Sequence, residues 1–286
     1  MQLQWNAGYG CLPFDLFVLD HWESTTSALP ATPQQRWDEL ARRYLSLPLI
    51  KRWPLYKRVL DALSEVGGAA PLPSPTEEQI GRIFAPHQSI QECNLSAKFC
   101  SGWNTVWLRT CYSPSLTQKY REIEQTMGAR AEVGCLESPD HVLDESSLYG
   151  FRGSDQEVLD QLLLRIPCLT DAHGVVDEYG DGSLLLYGSG QNDPGAIKHA
   201  EEDEAFEEIR KLGLNVQNFV YVVDDEAVEK NLVKIWWFNE FGKIIWDNVS
   251  VAPYSDLSGM LGAIQDGQGF EELVGEESQR GDVIRG

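Results

Sequence analysis

Between residues 32 and 45 the apolar positions Trp37, Leu40, Ala41, Tyr44 and Leu45 recur three and four apart, the spacing of one buried helix face. Thr32-Pro33-Gln34-Gln35 supplies the start, with Thr as N-terminal cap, Pro in the first turn and Gln35 reaching back. Pro48 stops this helix. Pro54 is expected to open the next one, which buries Tyr56, Val59, Leu60 and Leu63 and ends at Gly67-Gly68. Ser74-Pro75-Thr76-Glu77 reads as another cap, ahead of Ile80, Ile83 and Phe84.

Past residue 100 the period alternates between that of a strand and that of a helix. TVWLRT (105–110), AEVGCL (131–136), SLLLYGS (183–189) and NFVYVVDD (218–225) read as strands. Helices are expected after Ser115, with Tyr120, Ile123 and Met127 inside. A second follows Ser154, with Val158, Leu159, Leu162 and Ile166 inside and Pro167 as its stop. Residues 200–212 place acids first and Arg210-Lys211 last, in keeping with a helix dipole, and Ser255 caps a final helix.

The stretch VKIWWFNEFGKIIWDN, residues 233–248, is apolar on both parities near its centre. It reads as a hairpin turning at Glu240-Phe241-Gly242, with Gly242 free to take positive φ. Parity puts Val233, Ile235 and Trp237 on one face and Lys234, Trp236 and Phe238 on the other; on the return strand Ile244 and Trp246 share a face. A strand with one wet face would alternate apolar with polar. Either helices cover both faces, or Trp236 and Phe238 form an aromatic binding patch.

These elements predict an α+β protein: a central, largely antiparallel sheet flanked by helices, preceded by an N-terminal helical region. The expected organisation is a helical region at 1–68, a linker at 69–75 within GGAAPLPSP, an α+β domain at 76–275 and a flexible polar tail at 276–286.

Charge narrows the partners. The 286-residue chain carries a formal net charge of -21. Residues 1–100 hold nine Lys/Arg and ten Asp/Glu; the remainder holds fourteen and thirty-four, so the acid excess lies almost entirely after residue 100. Such a surface repels phosphate backbones and anionic lipid headgroups, which disfavours nucleic acid and membranes and leaves another protein as the expected partner. The basic run Arg42, Arg43, Lys51, Arg52, Lys57 and Arg58 is more naturally a solvated helix face, or a surface that meets the chain's own acids. The N-terminus lacks the basic and apolar regions of a secretory signal, and no run approaches the ~18 apolar residues of a membrane span, so a cytoplasmic location is expected. The six cysteines include no C-x-x-C pair, and buried reduced thiols are expected.

Candidate chemistry concentrates in DAHGVVDEYGDGS (171–183), where Asp171, His173, Asp177, Glu178 and Asp181 could act as acid and base or surround a cation. The spacing misses the calcium-loop template, and an Asp/Gly-rich turn gives the same composition, so neither a metal nor a cofactor is expected. Asp224-Asp225-Glu226 ends a strand, where ligands can bind but where solvated carboxylates are commoner. The expected role is a protein–protein interaction module; the alternative is a small-molecule enzyme of specialised metabolism using carboxylates of the 171–181 loop.

NTVWLRTCYSPSLTQKYREI (104–123), FVYVVDDEAV (219–228) and NVSVAPYSDL (248–257) resemble three segments of an uncharacterised family of actinobacterial and fungal domains. The resemblance covers residues 104 to about 270 with a long insertion. It implies a domain shape and no activity.

Overall fold

The computed structural model describes residues 9–10, 12–23, 32–63, 75–100, 106–128, 142–171, 218–251 and 283–284. The expected strands at 131–136 and 183–189, the helix at 200–212 and the helix after Ser255 lie outside them. Two compact units are present. Unit 1 comprises residues 1–103, 155–189 and 240–242; unit 2 comprises 104–154, 190–239 and 243–286. Residues 76–100 group with the N-terminal helices in unit 1.

Unit 1 is helical. Helix α1 (Pro13–His21) is followed by α2 (Pro33–Leu45), α3 (Leu49–Leu63), the short α4 (Glu77–Gln79), a π-helical turn at Ile80–Phe84, α5 (Ile90–Cys100) and α8 (Asp155–Arg165). The cap of α2 forms as its sequence demands: Gln35 N–H donates to Thr32 Oγ1 at 3.2 Å, and Thr32 N–H donates to Gln35 Oε1 at 2.9 Å. Helix α3 begins five residues before the expected Pro54, which sits inside it and leaves one carbonyl of the preceding turn without a helical donor. The cap of α4 is Thr76, not Ser74, and Gln79 closes the box from the third position. Phe14, Phe17, Val18, Trp22, Trp37, Leu40, Ala41, Tyr44, Ile83 and Phe84 form the core of the unit.

Among the described residues, unit 2 is built on a mixed six-stranded sheet. The strands are β1 (Trp107–Arg109), β2 (Val142–Leu143), β3 (Asn218–Val223), β4 (Leu232–Phe238), β5 (Ile244–Val251) and β6 (Val283–Ile284). The fold class is α+β, but the sheet is not largely antiparallel. Strands β2, β1 and β3 run parallel, β3–β4–β5 antiparallel, and β6, from the stretch expected to be a loose tail, runs parallel to β5. Parallel neighbours need long crossovers, and α6 (Thr117–Gly128) lies on the one between β1 and β2. Helices α7 (Ser146–Tyr149) and α9 (Asp225–Lys230) complete the described part of this unit.

Strand β3 is buried along its whole length, as a central strand covered on both faces must be. One face gathers Trp107, Phe219, Tyr221, Val223, Val233, Ile235, Trp237 and Trp246 against Tyr120 and Ile123 of α6 and Val228 of α9. Trp237 stands directly opposite Trp246 and packs on Phe219 with ring centroids 4.7 Å apart. Trp236 and Phe238, on the other parity, are also buried, at 1% and 0% exposure.

The register slips by one residue between Trp237 and Phe238, so that Phe238 pairs with Ile244. This bulge overturns the expectation that Ile244 shares a face with Trp246. The extra residue, Ile245, reverses parity on the return strand, and residues directly opposed across a ladder share a face. The turn is otherwise as read. Asn239 N–H donates to Lys243 O and Lys243 N–H to Asn239 Oδ1, both at 3.0 Å, and Gly242 has φ +72°.

Two outcomes follow for urea unfolding. Trp237→Ala is expected to destabilise by about 3–5 kcal/mol, and Trp236→Ala by a similar amount, because both indoles are core. Gly242→Ala should cost about 1–3 kcal/mol. A Cβ there would overlap the Leu163 side chain, and an L-residue at this φ is strained by about 1–2 kcal/mol.

Candidate functional site

The first carboxylate of the 171–181 loop, Asp171, is 1% exposed and ion-paired with Arg52 of α3 at 2.9 Å. His173, Asp177 and Asp181 lie outside the described residues. Asp171 directly follows a 3₁₀ turn, Pro167–Thr170, which Pro167 initiates after stopping α8. The Tyr44 hydroxyl on α2 lies 3.0 Å from both carboxylate oxygens, and the Tyr56 hydroxyl of α3 is beside them.

Arg52, from the run expected to be a solvated face, is itself 0% exposed. Its Nε donates to Leu47 O at 2.9 Å and its Nη2 to Leu45 O at 3.3 Å, which satisfies carbonyls at and just past the end of α2. Nη1 donates to Thr170 Oγ1 and O as well as to Asp171. Nη2 also donates to Glu240 O at 2.7 Å, in the three-residue segment 240–242 that belongs to the same unit. Glu240 returns the bond through its side chain: Leu49 N–H, at the start of α3, donates to Glu240 Oε2 at 2.6 Å. The guanidinium carbon lies 4.7 Å from the Tyr44 ring centroid.

The electrostatics suit a fixed cation. Burial works against the Arg52 charge, but Asp171, Tyr44 and Tyr56 raise its pKa, so the guanidinium remains protonated. Burial pushes the Asp171 carboxyl up, and Arg52 with the two tyrosine hydroxyls pulls it back. The arrangement holds a carboxylate rigidly among donors. Asp171 thus serves as a fixed structural partner of Arg52.

Trp236 and Phe238, the aromatic pair considered as a binding patch, present no exposed aromatic face, since both are buried within the sheet. The strand-end acids are also engaged. Asp224 caps α9, accepting from Ala227 N–H at 2.7 Å, and pairs with Lys234 at 2.6 Å. Glu226 pairs with Lys230 and Lys234, and those two ammonium groups hold its carboxyl down to about 2.

Two charged clusters were not singled out from the sequence. At the carboxyl ends of β1 and β2, Arg109 binds Asp144 at 2.9 Å and lies 3.7 Å from the Tyr120 ring centroid. Its Nε donates to Cys111 O at 2.8 Å. In unit 1, Glu92 is fully buried and receives Arg165 through Nε at 2.5 Å and Nη2 at 2.9 Å. Glu92 also closes a capping box with Ser89 at the start of α5. The S-x-x-E spacing of Ser89-Ile90-Gln91-Glu92 is a sequence signal that marks this start.

Comparisons with protein-family models, with curated proteins and with solved structures find no match to this chain. Among the described residues, no helix is long and apolar enough to cross a membrane.

Arg52→Ala is expected to destabilise by about 3–5 kcal/mol in urea unfolding, since it leaves Asp171 buried and uncompensated. The double variant Arg52→Met/Asp171→Leu should recover only part of this loss. The carbonyls of Leu45, Leu47, Thr170 and Glu240 would still have lost their donor.

Proposed function

We propose that the chain is a cytoplasmic binding module that engages a basic protein through its carboxylate-rich surface. The observation that carries the reading is the state of Asp171. Of the carboxylates that would make the 171–181 loop an acid–base centre, it is the one described, and it is held in the Arg52 cluster with the Tyr44 hydroxyl 3.0 Å from both oxygens. A general acid or base must be able to reach and exchange a proton with a substrate; Asp171 at 1% exposure holds a structural position instead.

The charge supports the kind of partner. A net charge of -21, gathered after residue 100, raises the local concentration of cationic surfaces and speeds their encounter. It opposes approach of a nucleic-acid backbone.

The test is affinity purification of the tagged full chain from its native cell after brief crosslinking. The expected result is a reproducible basic protein partner retained at low salt. It should be released at about 0.5 M salt, where the Debye length falls to a few ångströms. Turnover of a small molecule by the purified chain, abolished by His173→Ala or Asp177→Asn, would overturn the reading in favour of an enzyme.

A further inference from the structure

His87 follows the π-helical turn of unit 1 and is 4% exposed. Its ring stacks on Trp37 at 5.1 Å and 23°, with Trp22 at 6.2 Å. Its Nδ1 lies 2.9 Å from Gln34 Oε1. The direction of that bond follows from the next one along: Gln34 Nε2 donates to Asp38 Oδ1 at 2.8 Å, and a carboxylate can only accept. The Gln34 amide is therefore oriented with its oxygen toward His87, and Nδ1 must carry the proton. The neutral ring then has a bare Nε2, and this atom is buried without a hydrogen-bond partner.

An acceptor left unpaired among indoles is tolerable. A second proton is not, because it places a cationic N–H at Nε2 with nothing to accept it. We propose that the His87 slot is a proton-operated latch: when the ring takes a second proton it leaves the space between Trp22 and Trp37, and the first turns of α2 loosen with it.

The charged groups facing the ring are few. Asp38 on α2 favours the proton, and Arg165 on α8 opposes it. Arg165 is itself held by Glu92 of α5, and Arg36 of α2 lies over the neighbouring Trp22 at 5.5 Å. Burial, the largest influence, moves the His87 pKa below its ordinary value. The sign follows from linkage. The unfolded chain binds this proton near pH ~6.5 while the folded chain resists it, so stability is complete above that pH and is lost as pH falls below it. The release reaches α2 because Gln34 and Trp37 are on that helix, and Trp37 Nε1 donates to Leu164 O at 2.8 Å.

The latch is independent of the binding reading and is tested on the full chain in two ways. Urea unfolding is measured at about pH 7.5 and about pH 5 for the wild type and for His87→Phe, whose ring fills the slot but takes no proton. The wild-type unfolding constant should rise severalfold more than that of the variant between the two pH values. Hydrogen exchange of the wild type, with the His87 ring followed by NMR, covers the case in which the variant does not fold. Amides at 34–45 should lose protection in step with protonation of His87. Parallel pH dependence of the two proteins, or protonation of His87 with protection at 34–45 unchanged, would overturn the proposal.

Discussion

A single guanidinium carries the helical unit. Arg52 is fully buried, and its N–H groups are distributed over the end of α2, the 3₁₀ turn after α8, the Asp171 carboxylate and the carbonyl of Glu240. Each acceptor would otherwise be a backbone or charged oxygen in a region that excludes water, where an unpaired polar group costs about 1–3 kcal/mol. Lysine could not replace it, because a compact ammonium has three donors and no planar fork with which to reach acceptors on opposite sides. The positions of α2, α3 and the Asp171 turn are thus mutually dependent, and the tyrosines from α2 and α3 complete the enclosure.

Sequence periodicity showed what packs by stripe and missed what packs all round. Helix α2, with four buried positions at helical spacing and a full cap, was legible to the residue. Helix α1 was not: six successive residues, Pro13 to Val18, are buried, and a segment covered on every side has no polar face to set a period. The hairpin was read correctly in its turn and its first strand and wrongly at Ile244. One inserted residue reverses parity, and no composition rule marks where a bulge falls. The mixed sheet was illegible for a related reason. Strand direction depends on connections, and short strands such as Val142–Leu143 carry too few residues to announce a parallel crossover.

The candidate site divided along the same line. The residue types were visible: Asp171 stood in the densest polar loop, and Arg52 in a basic run flanked by aromatics. Their pairing spans 119 residues, and nothing local to either segment encodes it. Composition favoured a solvated face for Arg52 because most arginines are exposed. The exception arises where a helix end, a turn and a carboxylate converge on one point. Capping signals are local, since their partners lie three residues apart: the Thr32 box was read from the chain, whereas Ser89-x-x-Glu92 and the Asp224 cap, equally written there, were not.

The units interleave along the chain: segments from the first third, the middle and the region near residue 240 alternate between them. Arg52 and Glu240 are 188 residues apart in the chain. A ribosome adding about 5–20 residues per second would make the acceptor roughly 10–40 s after the donor. Throughout that interval α3 would lack the side chain that receives its first amide, and Arg52 would lack one of its carbonyls. Vectorial synthesis therefore cannot complete the helical unit from the N-terminus onward. Its closure waits for a hairpin tip 188 residues downstream of Arg52, so nascent chains should stay susceptible to proteases and chaperones until that tip has been made.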